Sequence, residues 1–377
     1  MKTLSLLIWV GFYLALLLPT ANVLATTNAQ TLTQSNARYQ PHSPEQIIAR
    51  WDTTAAQVTN TTRVMNADSI SQLANDYLSK ASQPGYSHLY GIAEAVLKPQ
   101  VESGSNHLPI LLAWAQVQQH QHRFSLAQQT LSLILQQDAA QPTALLLKAR
   151  LHLIQGELSA AKKICMALLG KVDLVTLGAC SLEVRSSESE QALRESYAQL
   201  QQLIASQGLP TDERNLWLLQ MLADMALRLN QPERALQYLQ QVSNKNSLSY
   251  WVQWADINLA LGDSPAVIQQ LTPLINNAPQ QDDALLLRLV IAEKNLLQDS
   301  PIHEQLAQRM QLRIARDDQA HAAEVALFFL QVQPDAQQAL YWAERNWQLA
   351  REASDKLLLE RAQQAVALDL THLQQEG

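Results

Sequence analysis

The sequence predicts an all-α chain assembled from repeated helix pairs, and three of its features lead there. Only 10 Gly and 14 Pro occur in 377 residues, too few to supply the turns of a chain made of many short strands. Leu, Ala and Gln dominate instead, and these residues leave a backbone helical at little entropic cost. From about Ser69 onward, amphipathic segments alternate with short breaks, and small and large apolar residues recur 34 positions apart. With 27 basic against 34 acidic residues the formal charge is −7, a poor match for a phosphate backbone, so nucleic acid is not an expected partner.

The N-terminal segments read differently from the rest. Lys2 precedes an apolar run from Leu4 to Leu18, Pro19 breaks it, and Val23-Leu24-Ala25 places small residues at a cleavage position. That order is expected of a secretory signal over residues 1–25, cut after Ala25. The alternative is an uncleaved anchor, although the run falls short of the ~20 residues that usually span a bilayer. Export implies a periplasmic or secreted protein that meets a membrane only through an uncleaved N-terminus. Residues 26–66 are polar and rich in Thr, Gln, Asn and Ser. They cannot bury enough apolar surface to offset their ordering entropy, so a largely disordered tether is expected. One short helix is expected within it after Ser43, where Pro44 precedes Ile47, Ile48 and Trp51.

Four columns repeat in register over three units. Ala81, Ala115 and Ala149 form one, and Ala93, Ala127 and Ala161 another. Tyr90, Phe124 and Leu158 form the third; Leu97, Leu131 and Cys165 form the fourth. Gly156 falls at the turn between the helices of the third unit. A fixed period of this kind is the signature of a repeat architecture. The pattern resembles the tetratricopeptide repeat (TPR), in the form found in exported bacterial proteins. That resemblance implies a right-handed α-solenoid of stacked antiparallel helix pairs, a TPR-like superhelix, whose A helices line a concave face that binds peptides or proteins. The alanines would then mark the points where helices A and B cross.

Further along, Ala223 with Ala235, and Ala255 with Val267, continue the columns, and Gly262 again occupies a turn. Cys180 and Ala192 make a looser unit between the first three and these two. Asp283 to Ala315 reads as two helices without the small-residue columns. Ala322 to Pro334 reads as a lone B helix, and Trp342 to Leu370 as a terminal pair. The expected organisation is TPR-like repeats over 67–335 and capping helices over 336–377.

By the resemblance, the concave positions are Leu112, Gln116, Gln119, Arg150, Leu153, Trp217, Gln220, Asp224, Arg228, Asp256 and Trp347. Their mixture of amide, apolar and charged groups suits a groove that reads a peptide. Leu112 and Leu146 stand where some family members need a Lys to hold a terminal carboxylate, so capture of a C-terminus is not expected. Trp251 and Trp254 share one helical face and are expected to pack between units, while Trp217 is a contact candidate. His120 and His122 sit at i and i+2, which point to different sides of a helix, so solvated turn residues are expected there and no metal site. Cys165 and Cys180 fall on neighbouring helices. An oxidising compartment permits a disulfide between them, and two buried thiols are equally compatible with the sequence.

No nucleophile elbow, zinc-binding helix, phosphate-binding loop or dinucleotide fingerprint occurs. Neither an enzyme nor a cofactor is therefore expected. The sequence points to an exported scaffold that binds a protein or peptide partner, possibly in assembly of an envelope or secreted complex. The alternative is a subunit that positions a glycan or other substrate for a periplasmic enzyme system.

Overall fold

The computed structural model describes residues 65–376. The expected signal, most of the tether and the expected helix after Ser43 lie outside the described residues. Seventeen α-helices and one 3-10 turn make up the described residues, with no strand among them. Eight helix pairs follow one another. They are α1 (Ala67–Ala81) with α2 (Leu89–Glu102), α3 (Leu108–His120) with α4 (Phe124–Gln137), and α5 (Pro142–Ile154) with α6 (Leu158–Met166). Next come α7 (Leu174–Ser186) with α8 (Glu190–Gln207), α9 (Arg214–Arg228) with α10 (Pro232–Gln240), and α11 (Leu248–Ala260) with α12 (Ser264–Asn277). The last pairs are α13 (Asp283–Asn295) with α14 (Pro301–Ala315), and α15 (Ala322–Gln331) with α16 (Ala336–Leu349). A single helix, α17 (Ala353–Glu376), ends the array.

The odd-numbered helices pack on one another in succession and form an inner series. Each even-numbered helix packs on the two inner helices that flank it and forms the outer series. The result is an all-α solenoid of stacked helix pairs. Helix starts follow local chemistry: the side chains of Asn66, Asp173, Ser189, Asp263 and Asp335 each accept from a backbone N–H of the first turn, satisfying donors that the helix cannot. Several of the few prolines open helices, where a missing N–H costs nothing.

The alanine columns sit where inner and outer helices cross. Ala81, Ala93, Ala115, Ala127, Ala161, Ala223, Ala235 and Ala255 are fully buried, and a methyl group at the contact lets two helix axes approach closely. Asp283 to Ala315 obeys a different rule. Helix α13 carries Leu285, Leu286, Leu287, Leu289, Val290, Ile291 and Ala292, all buried, because it is covered on every side by α11, α12, α14 and α15. Its first residue, Asp283, is buried too and is held by Arg309 and Arg313 of α14. The expectation that residues 322–334 form a lone B helix is corrected. Helix α15 is an inner helix paired with α16, and Pro334 stands in the turn between them.

A second column, of which the sequence shows only its two glycines, lies in the turns. His122, Gly156, Asn230, Gly262 and Leu297 all hold positive φ between 54° and 75° at the end of an inner helix. This left-handed residue turns the chain from the inner helix into its partner. Cys165 of α6 and Cys180 of α7 are joined by a disulfide with Cα atoms 5.6 Å apart. Trp251 and Trp254 meet edge to face at 5.6 Å and pack against two adjoining core clusters, bridging units.

The array also returns on itself. Gly85 N–H and Ser87 O–H both donate to the Asp282 carboxylate, at 2.5 Å each, across 197 and 195 residues. Leu248 N–H donates to Ser82 C=O at 2.8 Å, and Arg351 N–H to Ile154 C=O at 2.7 Å. Gly85 is required here. A Cβ at that position would lie 2.7 Å from Ala278 Cβ, and its φ is +85°. These contacts form a seam between successive turns of the solenoid.

Leu297 is the one turn residue whose type opposes its conformation: φ is +54° and its side chain is 95% exposed. Left-handed backbone costs a branched L-residue about 1–2 kcal/mol, and glycine's extra unfolded-state freedom offsets part of that. Leu297→Gly should therefore stabilise the protein by about 0.5–1 kcal/mol, read as a higher midpoint in urea unfolding.

Candidate functional site

A cavity of about 600 Å³ opens on the inner face. Helices α3, α5, α7, α9 and α11 build its wall, and the start of α17 closes it from the next turn. Seven of the eleven residues expected on the concave face line it: Gln116, Arg150, Leu153, Trp217, Gln220, Asp224 and Arg228. The other four lie elsewhere. Leu112 packs on the core between α3 and α5, and Gln119, near the end of α3, does not reach the cavity lining. Asp256 is held by Arg288 of the next inner helix in a two-pronged pair at 2.8 and 2.9 Å. Trp347 belongs to α16, an outer helix, so its expected concave position is corrected.

Two lining carboxylates were not expected. Glu183 follows Ala179 as Leu153 follows Ala149, four residues on, so counting from Ala179 finds it. The looser unit counts from Cys180 in the alanine columns, and that one-residue slip hides Glu183. Glu352 lies in the turn before α17, and no repeat position announces it. Arg150 joins the two: its guanidinium is 3.1 Å from Glu183 and 2.9 Å from Glu352. The second cation, Arg228, donates to Asp224 at 3.1 Å, to Ser186 Oγ at 3.2 Å and to Ser186 C=O at 2.5 Å.

These side chains keep between 20% and 49% of their surface open to water, and their partial burial still shows in their ionisation. Burial pushes the Glu183 carboxyl up. Arg150 opposes that rise, the charges of Glu352 and Asp224 add to it, and a hydrogen bond from Trp217 opposes it again. Burial likewise raises Asp224, with Arg228 pulling down and Glu352 pushing up. Burial works against the Arg150 charge, but Glu352, Glu183 and Asp224 together outweigh it and hold the guanidinium charged. Three carboxylates thus surround two guanidiniums, beside an apolar wall of Trp217, Met221, Met225 and Leu153.

Three histidines, His120, His122 and His321, gather at the seam and not in the cavity. His122 ends α3 in a left-handed turn, which brings its ring 6.3 Å from His321 of the 3-10 turn (Gln319–His321) one solenoid turn later. His120 stacks on Tyr90 at 3.2 Å. Among the described residues no group of three or more His, Cys, Asp or Glu is arranged to hold a metal ion. Loss of water around its ring, then repulsion from His122 and His321, push His120 down to about 4. No described helix is long and apolar enough to cross a membrane.

No protein-family model matches the chain, and no curated protein matches it either. Among solved structures it is similar to the TPR domain of P58(IPK), at 12% identity over 80% of this chain and 98% of the other, with a TM-score of 0.26. The assignment to the α-solenoid class rests on the packing of the seventeen helices themselves.

Two titration outcomes follow from the charges. Arg150→Met leaves Glu183 and Glu352 facing each other without the guanidinium between them. Because the side chains are partly open to water, the cost should be about 1–3 kcal/mol near pH 8. A carboxyl raised in the fold keeps its proton to higher pH than the unfolded chain does. The deficit relative to wild type should therefore shrink as pH falls toward 5, measured by urea unfolding at each pH. His120 behaves oppositely. Its folded value lies below the ordinary 6.5, so acid protonates the unfolded chain first. Its contribution to stability is whole above 6.5 and is lost as pH falls through about 4. Its imidazole resonances should titrate near pH 4, followed by NMR.

Proposed function

We propose that this chain is an exported scaffold that binds a peptide or protein partner in the cavity on its inner face. The observation that carries the reading is that five successive inner helices and one residue stretch from the next turn converge on a single cavity. That cavity has both a large apolar wall and charged groups able to fix a ligand's orientation. Its volume suits a short segment of a partner, with the remainder of that partner lying along the solenoid. The reading places the protein in the periplasm or outside the cell, in assembly of an envelope or secreted complex. It does not assign catalysis. The glycan-positioning alternative gains less support, because Trp217 is the lone Trp on the cavity wall and sugar sites of that kind stack rings on several.

Crosslinking capture from the envelope fraction tests the groove. Wild type should retain a partner that the pair Trp217→Ala with Arg150→Glu loses at least about tenfold. Equal capture by both proteins would sink the reading. Sequencing the mature N-terminus tests export separately: Thr26 is the expected first residue, and a start at Met1 means that the segment stays attached.

A further inference from the structure

The cavity's hydrogen-bonding groups are unevenly committed. Both guanidiniums already donate within the protein, Arg150 to Glu183 and Glu352, Arg228 to Asp224 and to both oxygens of Ser186. Amides and hydroxyls of Gln116, Gln220, Thr143 and Ser354 also line the space, but the charged groups left in excess are carboxylates. Three carboxylates share two cations, so the lining carries one net negative charge. Gln253 Oε1, on the same wall, is buried with no donor. A ligand anion would meet three carboxylates and no uncommitted guanidinium. A ligand cation would meet an excess of carboxylate, in a cavity partly withdrawn from water, where the attraction is stronger than at an open surface. The apolar surface beside those acceptors, Trp217 with Met221 and Met225, is suited to a long aliphatic stem and to stacking under a cationic head.

Resting on the groove reading above, we infer that the cavity receives a lysine or arginine side chain of an extended partner segment, its stem along Trp217 and its charge among Glu183, Asp224 and Glu352. The closing carboxylate, Glu352, comes from the far end of the chain, so the site is complete only once the solenoid has made its turn. A partner's basic residue would thus be recognised by the wound form of the protein and not by its first units alone.

Selection of linear heptapeptides from a random library on the full-length chain purified after export tests the inference. The recovered peptide is then titrated beside versions whose basic residue is replaced by norleucine or by glutamate. Enrichment of Lys or Arg at one position is expected, with a loss of about tenfold or more for norleucine and a larger loss for glutamate. Glu352→Gln and Glu183→Gln, each confirmed folded by circular dichroism, should erase the preference for charge. Trp217→Ala should weaken the basic and norleucine peptides alike. Recovered peptides without a basic residue, or equal binding of the norleucine version, would overturn the cationic assignment. The groove reading survives that outcome if Trp217→Ala still weakens binding. No enrichment at all would overturn both. Spermidine displacing the peptide at equal concentration would overturn the peptide as the source of the cation.

Discussion

Everything in this protein depends on how closely an inner helix can lie against its outer partner. Where the two cross, the side chain is a methyl group in most units, and those alanines are wholly buried. Stacked pairs bend the array, and each unit contacts only its neighbours until the bend has accumulated. Where the columns fail, over α13 and α14, the array does not break. A helix with seven buried apolar residues takes the place of the small-residue crossing, and the buried Asp283 ties it to Arg309 and Arg313.

The bend brings distant parts of the chain together, and the cavity is one product of that. Arg150 and Glu352 belong to units that share no local contact, yet they form an ion pair at 2.9 Å. Their electrostatics are consequences of confinement more than of pairing. Glu183 and Asp224 are raised because burial, with the charge of Glu352, outweighs the cations beside them. At the seam the same confinement acts on imidazoles and drives His120 the other way. Acid therefore relieves the cavity and loads the seam.

Much of this was legible in the residues. The four columns place helices, crossings and inner face for the first three units and for the two around Ala223 and Ala255. That was enough to nominate seven of the groups that line the cavity. Period alone could not find Glu183, because the unit that carries it is stretched and its reference alanine is Ala179, one position before Cys180. Nor could it find Glu352, whose place depends on the angle between units summed over many of them, a quantity that no single spacing records. Trp347 was misplaced for a related reason. Past Asp283 the alternation of inner and outer helices continues without the residues that mark it, so the last helices were counted one out of step. The left-handed turn column escaped because only two of its five members, Gly156 and Gly262, are glycines.

Most repeat arrays are open-ended: a unit can be duplicated or lost, and the remaining units stack as before. The bonds from Asp282 to Gly85 and Ser87, and from Arg351 to Ile154, remove that freedom here. Both join points 195 to 197 residues apart, so they act as two marks on one ruler. Inserting or deleting a single repeat between them would slide one coil past the other and put both marks out of alignment together. The number of units in this stretch is thereby counted by the fold itself, and the protein can diversify its inner surface residue by residue far more readily than by changing its length.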